Sequence, residues 1–174
     1  MWMEWLYNEV TVVKSGVKDH YKTIKVVQRR RPNVFFGQHY HNIDKKGRVF
    51  VPAKYRAELG EEFMLSRSPD GKRCLCIYPM DEWLKIDEKL KALPGVQAGK
   101  LVRFMYSGAE SVSCDSQGRV LIPASLREYA RLENETAVIG MSSKLEIWDG
   151  AAFRAEEAEE TPESIAELAR ELGF

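Results

Sequence analysis

No stretch of the chain is both long and apolar enough to cross a bilayer. Residues 1–6 lack the basic start and apolar run of a secretory signal. Cysteine is scarce: Cys74, Cys76 and Cys114 make an odd, sparse set, which argues against a disulfide scaffold and suits a reducing compartment. Gly-rich phosphate loops and nucleophile motifs are missing, and no two carboxylates are spaced as an acid–base couple. The expectation is a cytoplasmic protein that is not an enzyme and carries no cofactor. His39-x-His41 and Cys74-x-Cys76 each place two metal-ligating side chains on one strand face. Neither has the Cys-x-x-Cys spacing, with a second matching pair, typical of zinc. No metal is therefore expected; the histidines read as exposed strand residues and the cysteines as small core residues.

An excess of one charge is also absent, since 26 Lys and Arg balance 26 Asp and Glu. The distribution is uneven, however. Residues 1–33 carry 7 basic and 3 acidic side chains, residues 34–148 carry 17 and 15, and residues 149–174 carry 2 and 8. An acidic tail thus masks a mildly basic body. Affinity for nucleic acid grows with the number of phosphates neutralised, so such a body would need several copies acting together.

What the chain does have is an internal repeat. The segment from Asp44 to Arg56 returns 71 residues later, from Asp115 to Arg127, with seven of thirteen positions identical. Cys76-Ile77-Tyr78 corresponds to Glu146-Ile147-Trp148 further on. Two copies at so long a period are not a solenoid. They read as a duplication that folds into a pseudo-symmetric pair. Each copy is a strand, a tight turn, a strand ending at Pro, a short helix and two more strands. In copy one these are 38–43, 44–47, 49–51, 53–59, 63–67 and 73–78, with Gly60 stopping the helix. Helices at 80–93 and 98–106 connect to copy two, which has strands at 110–114, 120–122, 137–140 and 145–148 and a helix at 124–132. A Glu-rich tail helix at 156–171 closes the chain. One such unit buries too little surface to stand alone, so two interleaved units should share one core. Duplication for stability alone is the competing explanation.

The first turn carries chemistry. Asp44-Lys45-Lys46-Gly47-Arg48 sets three cations within four residues, on a rigid turn that costs little entropy to present. Arg suits bidentate contact with a phosphate or a guanine edge, and Lys acts as a point charge for phosphate. The turn of copy two, Asp115-Ser116-Gln117-Gly118-Arg119, carries one cation, so copy one should make most of the contact with DNA. Asp44, Asp115 and Gly118 read as structural turn residues. The alternative is a solvated tip in which Asp44 simply pairs with Arg48. Arg56 and Arg127, on the short helices, read as structural ion-pair partners.

At these residues the chain resembles the MraZ family. The resemblance rests on the doubled Asp-x-x-Gly-Arg, strand, Pro-Ala-x-x-Arg pattern, on Tyr78-Pro79-Met80-Asp81-Glu82-Trp83, on Ser107-Gly108-Ala109 and on Glu146-Ile147-Trp148; it runs from about Val34 to the end. It implies an α+β fold of tandem SpoVT/AbrB-like swapped-hairpin units, forming one pseudo-symmetric β-barrel core with flanking helices. The units fall at 38–80 and 109–152, the connecting helices at 81–108 and an acidic C-terminal helix at 153–174. It further implies a transcriptional regulator that binds short direct repeats in the promoter of the division and cell-wall gene cluster. The family's DNA-contacting turn falls on Lys45, Lys46, Gly47 and Arg48, with Arg119 equivalent in copy two. Partners implied are promoter DNA and copies of the chain itself in a ring, at the nucleoid and away from membranes. The rival reading is an antitoxin-like protein-interaction module of the same superfamily.

Residues 1–33 have no counterpart in that pattern. They are expected to be a start-site artefact, with Val34 the initiator, because Arg29-Arg30-Arg31 would be spelled by purine-rich codons resembling a ribosome-binding sequence. The rival is a real basic arm adding phosphate contacts.

Overall fold

The computed structural model describes residues 34–174, so the expected extension at 1–33 lies outside the described residues. Copy one opens with β1 (Phe35–Asn42), followed by β2 (Arg48–Phe50), α1 (Ala53–Leu59), β3 (Phe63–Arg67) and β4 (Leu75–Pro79). The connectors are α2 (Met80–Ala92) and α3 (Gly95–Ser107). Copy two gives β5 (Glu110–Val112), β6 (Arg119–Leu121), α4 (Ala124–Ala130), β7 (Glu135–Ser142) and β8 (Lys144–Asp149). Two helices, α5 (Gly150–Glu159) and α6 (Pro162–Glu171), follow. The single tail helix expected from sequence is thus broken in two. Pro162 disfavours helical geometry at the residue before it, and the Thr161 hydroxyl instead accepts from the Ser164 amide at 3.2 Å, capping a new start.

The strand pairing exposes the symmetry. All pairs are antiparallel, in a six-stranded sheet of order β1-β7-β8-β4-β3-β5 and a separate ribbon of β2 and β6. The first strand of each copy pairs with the third strand of the other: β1 with β7, and β5 with β3. Equivalent residues face each other where the copies meet. Val49 sits opposite Val120 in the ribbon, and Cys76 opposite Glu146 in the sheet. A pseudo-twofold axis therefore passes through both pairs. The pairing shows an α+β fold with an antiparallel sheet; the expected β-barrel core is not shown by it. Among the described residues, β1 and β5 are the outer strands of the sheet, and β2 and β6 pair with each other in the ribbon.

Strand alternation then sorts the core. Val49, Val51, Val120 and Ile122 of the ribbon region join Leu75, Ile77, Leu145 and Ile147 of the two central strands, with Tyr55 of α1 and Leu126 of α4, all buried. The opposite face of β4 and β8 is covered as well. Cys76 and Tyr78 meet Trp83 and Leu90 of α2 and Met105 of α3, whereas Trp148 meets Phe153 of α5. Central strands covered on both faces read as continuous apolar runs, as Leu75–Pro79 does. Both Cys74 and Cys76 take core positions. His39 and His41 are half-buried rather than exposed, with ring edges on Tyr55 and Phe50 at centroid distances of 5.6 and 4.8 Å.

β1 begins three residues earlier than its sequence pattern suggests. Phe35 is buried, and Gly37, at φ +83°, bends the strand onto Gly140 of β7. A Cβ on Gly140 would come within 2.2 Å of the Phe36 backbone nitrogen. Gly140→Ala should therefore push β1 off its partner and cost about 1–3 kcal/mol, as overpacking against fixed backbone does. Chemical denaturation checks this; an unchanged midpoint would show that β1 moves freely.

Candidate nucleic-acid interface

The two repeated turns build themselves identically. In copy one, Asp44 Oδ1 accepts the backbone amides of Lys46 at 2.9 Å and Arg48 at 3.0 Å. In copy two, Asp115 Oδ1 accepts those of Gln117 at 3.0 Å and Arg119 at 2.9 Å. A short carboxylate that satisfies amides two and four residues on is what makes Asp a turn residue here. Gly47 and Gly118 both stand at φ +78°, in the left-handed region that a side chain resists. Their carbonyls accept from the opposite copy: Gly118 from the Val51 amide and Gly47 from the Ile122 amide, each at 2.9 Å. Each turn is thus stitched to the other copy's strand.

The second carboxylate oxygens carry the arginines. Arg48 donates from Nε to Asp44 Oδ2 at 2.7 Å, and Arg119 likewise to Asp115 Oδ2 at 3.0 Å. Each guanidinium then reaches across the pseudo-axis. Arg48 Nη1 lies 3.4 Å from Asp115 Oδ2, and Arg119 Nη1 lies 3.7 Å from Asp44 Oδ2. Two Asp and two Arg therefore form one interlocked cluster joining both turns, with each arginine side chain about 25% exposed. The arginine N–H groups and the backbone amides hold both carboxyls down at about 2. A depressed carboxyl stabilises the fold fully above its ordinary range, and that contribution fades as pH falls through about 2. Carboxyl NMR titration should find Asp44 and Asp115 still ionised at pH 3.5, where a free aspartic acid is largely protonated. Ordinary titration of either would show the cluster open in solution.

Arg56 and Arg127 take a different role from the expected ion pairs. They lie over the glycines of the opposite turns. A Cβ on Gly118 would meet Arg56 Cζ at 2.7 Å, and one on Gly47 would meet Arg127 Nη1 at 2.0 Å. Arg127 also donates to the Ile122 carbonyl at 2.5 Å, while Arg56 stacks 5.9 Å from the Phe50 ring centre. Their planar cations close the underside of the turns, a use that spacing alone could not indicate.

Of the expected DNA-contact residues, the structure gathers Lys45, Lys46, Gly47 and Arg48 on one turn and brings Arg119 against it from the other copy. Gly47 is buried, Arg48 and Arg119 are tied to carboxylates, and Lys45 and Lys46 are exposed. Ser116 and Gln117, equally exposed, give copy two a neutral tip. The cross-copy contacts were missed from sequence because nothing in the spacing says which Asp an Arg meets. The signal was nonetheless present, in the Asp and Arg held identical in both copies. Among the described residues, no group of three or more His, Cys, Asp or Glu side chains could hold a metal ion, and no helix is long and apolar enough to cross a membrane.

Comparison with known proteins gives one consistent result. A family model described as "MraZ protein, putative antitoxin-like" matches residues 34–99 and 105–174. A protein of Halothermothrix orenii called "Transcriptional regulator MraZ" is 43% identical over 145 residues, covering 81% of this chain and 100% of that protein. One of the same name from Desulfitobacterium hafniense is 45% identical with the same coverage. Another from Pelotomaculum thermopropionicum is 51% identical over 117 residues, covering 66% of this chain and 79% of the relative.

Proposed function

The chain belongs to the MraZ family, and from that premise we propose that it is a sequence-specific DNA-binding regulator of transcription that grips promoter DNA with its paired turns. The observation that carries this is the exposed Lys45–Lys46 tip on a turn locked by four charged side chains and two cross-copy backbone bonds. A tip so fixed presents its cations without paying to order them. Lys45 and Lys46 neutralise phosphates, Gly47 lets the backbone come close, and Arg48 and Arg119 face the same groove from either side of the pseudo-axis. The exchange of first strands between copies supports the swapped-hairpin arrangement for each unit.

One turn supplies few contacts, so the target is a set of short direct repeats in the promoter of the division and cell-wall genes, met by several copies in a ring. Linked sites gain through effective concentration what a single site lacks. Repeats one helical turn apart bring successive tips to one DNA face. Gel shifts with promoter DNA test this: tight binding should vanish when repeat spacing is changed by half a turn. Affinity indifferent to spacing would defeat the ring mechanism. Arg48→Ala separates two roles of the arginine. A loss of about 1–3 kcal/mol confined to particular bases marks a guanine reader, whereas an equal loss on all sequences marks a turn support.

The antitoxin-like reading is less well supported. An antitoxin of this superfamily typically joins one unit to a disordered partner-binding tail, and here two units precede a capped helical tail.

A further inference from the structure

The helix α6 buries no residue in its own chain. Ile165, Leu168 and Leu172 recur at helical spacing and are 46%, 49% and 68% exposed, with Phe174 beyond them at 99%. Glu171 borders that face, and Glu167, one turn earlier, lies on the same side further round the helix. Among the described residues, the side-chain hydrogen bonds of the segment stay within the helix and its cap. An apolar face of this kind needs a cover.

A complementary strip lies on the body. On α3, Val96 is 87% exposed and Lys100 is exposed, and Phe104, one further turn on, is half-buried against the chain's own core, as is Tyr129. The Phe104 ring meets Tyr129 of α4 at 6.0 Å, and Arg67 lies 5.6 Å from the first ring and 5.3 Å from the second. Arg73 stands 6.0 Å from Tyr129 on the far end. Among the described residues, none of Lys100, Arg67 and Arg73 forms an ion pair, and Arg67 Nε is buried without a partner. Like charges converging on two rings, none of them ion-paired among the described residues, favour an acidic occupant. The lengths agree too. Val96 to Phe104 spans about 12 Å along the helix before the step to Tyr129, and the ten residues of α6 span about 15 Å. A second exposed apolar patch, Phe36 with Met141, has two cations beside it: Lys54, which donates to the Phe36 carbonyl at 3.1 Å, and Lys144 opposite Met141, which is paired with Glu146 at 2.7 Å. Among the described residues it offers α6 one cation outside any ion pair, where the α3–α4 strip offers three.

We infer that the apolar, acid-flanked face of α6 docks on the Val96–Lys100–Phe104–Tyr129 strip of a second copy of this chain. The inference rests on the self-assembly proposed above and names the contact that carries it. Head-to-tail docking of this kind repeats from copy to copy, which a self-complementary patch would not do.

The test is the mass of the full chain in solution, by light scattering, against 20.0 kDa for one copy. Wild type should weigh several times that value. Removing residues 161–174, or Ile165→Asp with Leu168→Asp, should bring the mass down to one copy, or to a small oligomer held elsewhere, without lowering the melting temperature. Lys100→Glu with Arg73→Glu should do the same. Glu167→Lys with Glu171→Lys should also dissociate the assembly, and should restore it when mixed with the Lys100→Glu, Arg73→Glu protein. An oligomeric wild type whose mass ignores all these changes would overturn the α6 contact and leave self-assembly standing. A wild type that weighs one copy at every concentration would overturn both. Variants that unfold would show α6 packing within its own chain, which also overturns the inference.

Discussion

Replacing Lys45 and Lys46 together with alanine should leave the protein folded and strip most of its hold on DNA. Both side chains are exposed, and neither carries a turn contact, because the turn is held by the Asp44 carboxylate and the backbone. The double change therefore removes charge and little else. Each lysine that meets a phosphate releases a counterion, so the slope of log affinity against log salt should fall by about two units for every turn engaged. At low salt the loss is small per turn but multiplies over the turns in use. Ser116→Ala with Gln117→Ala in copy two, which removes no charge, should leave the salt slope where it was. Binding measured from low to moderate salt checks both. A slope unchanged by the lysine substitutions would place the phosphate contacts elsewhere on the body.

The largest loss of stability is expected at the centre of the sheet. Ile77 and Ile147 are corresponding residues of the two copies, both completely buried and both in the main core. Ile147 pairs with Leu75 on one side and Val138 on the other, and Ile77 pairs with Leu145 and Leu65. Truncating either to alanine removes apolar contact and leaves a cavity where neighbours on both sides are fixed by strand pairing. A cost of about 2–5 kcal/mol is expected for each. Such a loss is a large fraction of what holds a domain together. Because the pseudo-axis relates the two sites, the costs should agree closely, and denaturant titration of both variants checks the pair. One variant near wild type beside a crippled partner would show that the copies do not share the core equally.

Much of this fold is legible in the amino-acid sequence. The repeat announced two like units, and the bounds of α1 and β3 follow from Pro52, Gly60 and the apolar residues between them. Local chemistry decides these elements, so local reading finds them. Strand ends were less legible. β1 reaches back to Phe35 only because Gly140, a hundred residues away, leaves room for it. The break between α5 and α6 could have been read from Thr161-Pro162, but the run of glutamates around it masks the signal. In the site, the turn shape and its exposed lysines were readable because Asp and Gly act on their own neighbours. The crossed Arg–Asp cluster and the arginines beneath Gly47 and Gly118 were not. They are set by how one copy packs on the other, which no single stretch encodes.

The unequal tips of the two copies have a consequence for orientation. A dimer of identical units has no front or back, and its operator tends to mirror itself. Here the halves are fused, one tip ending in Lys45-Lys46 and the other in Ser116-Gln117. Such a body is an arrow rather than a mirror: turned end for end, it would set its neutral tip where its charged tip had been. The DNA it prefers should accordingly have a reading direction, and inverting one site in place should weaken that site alone.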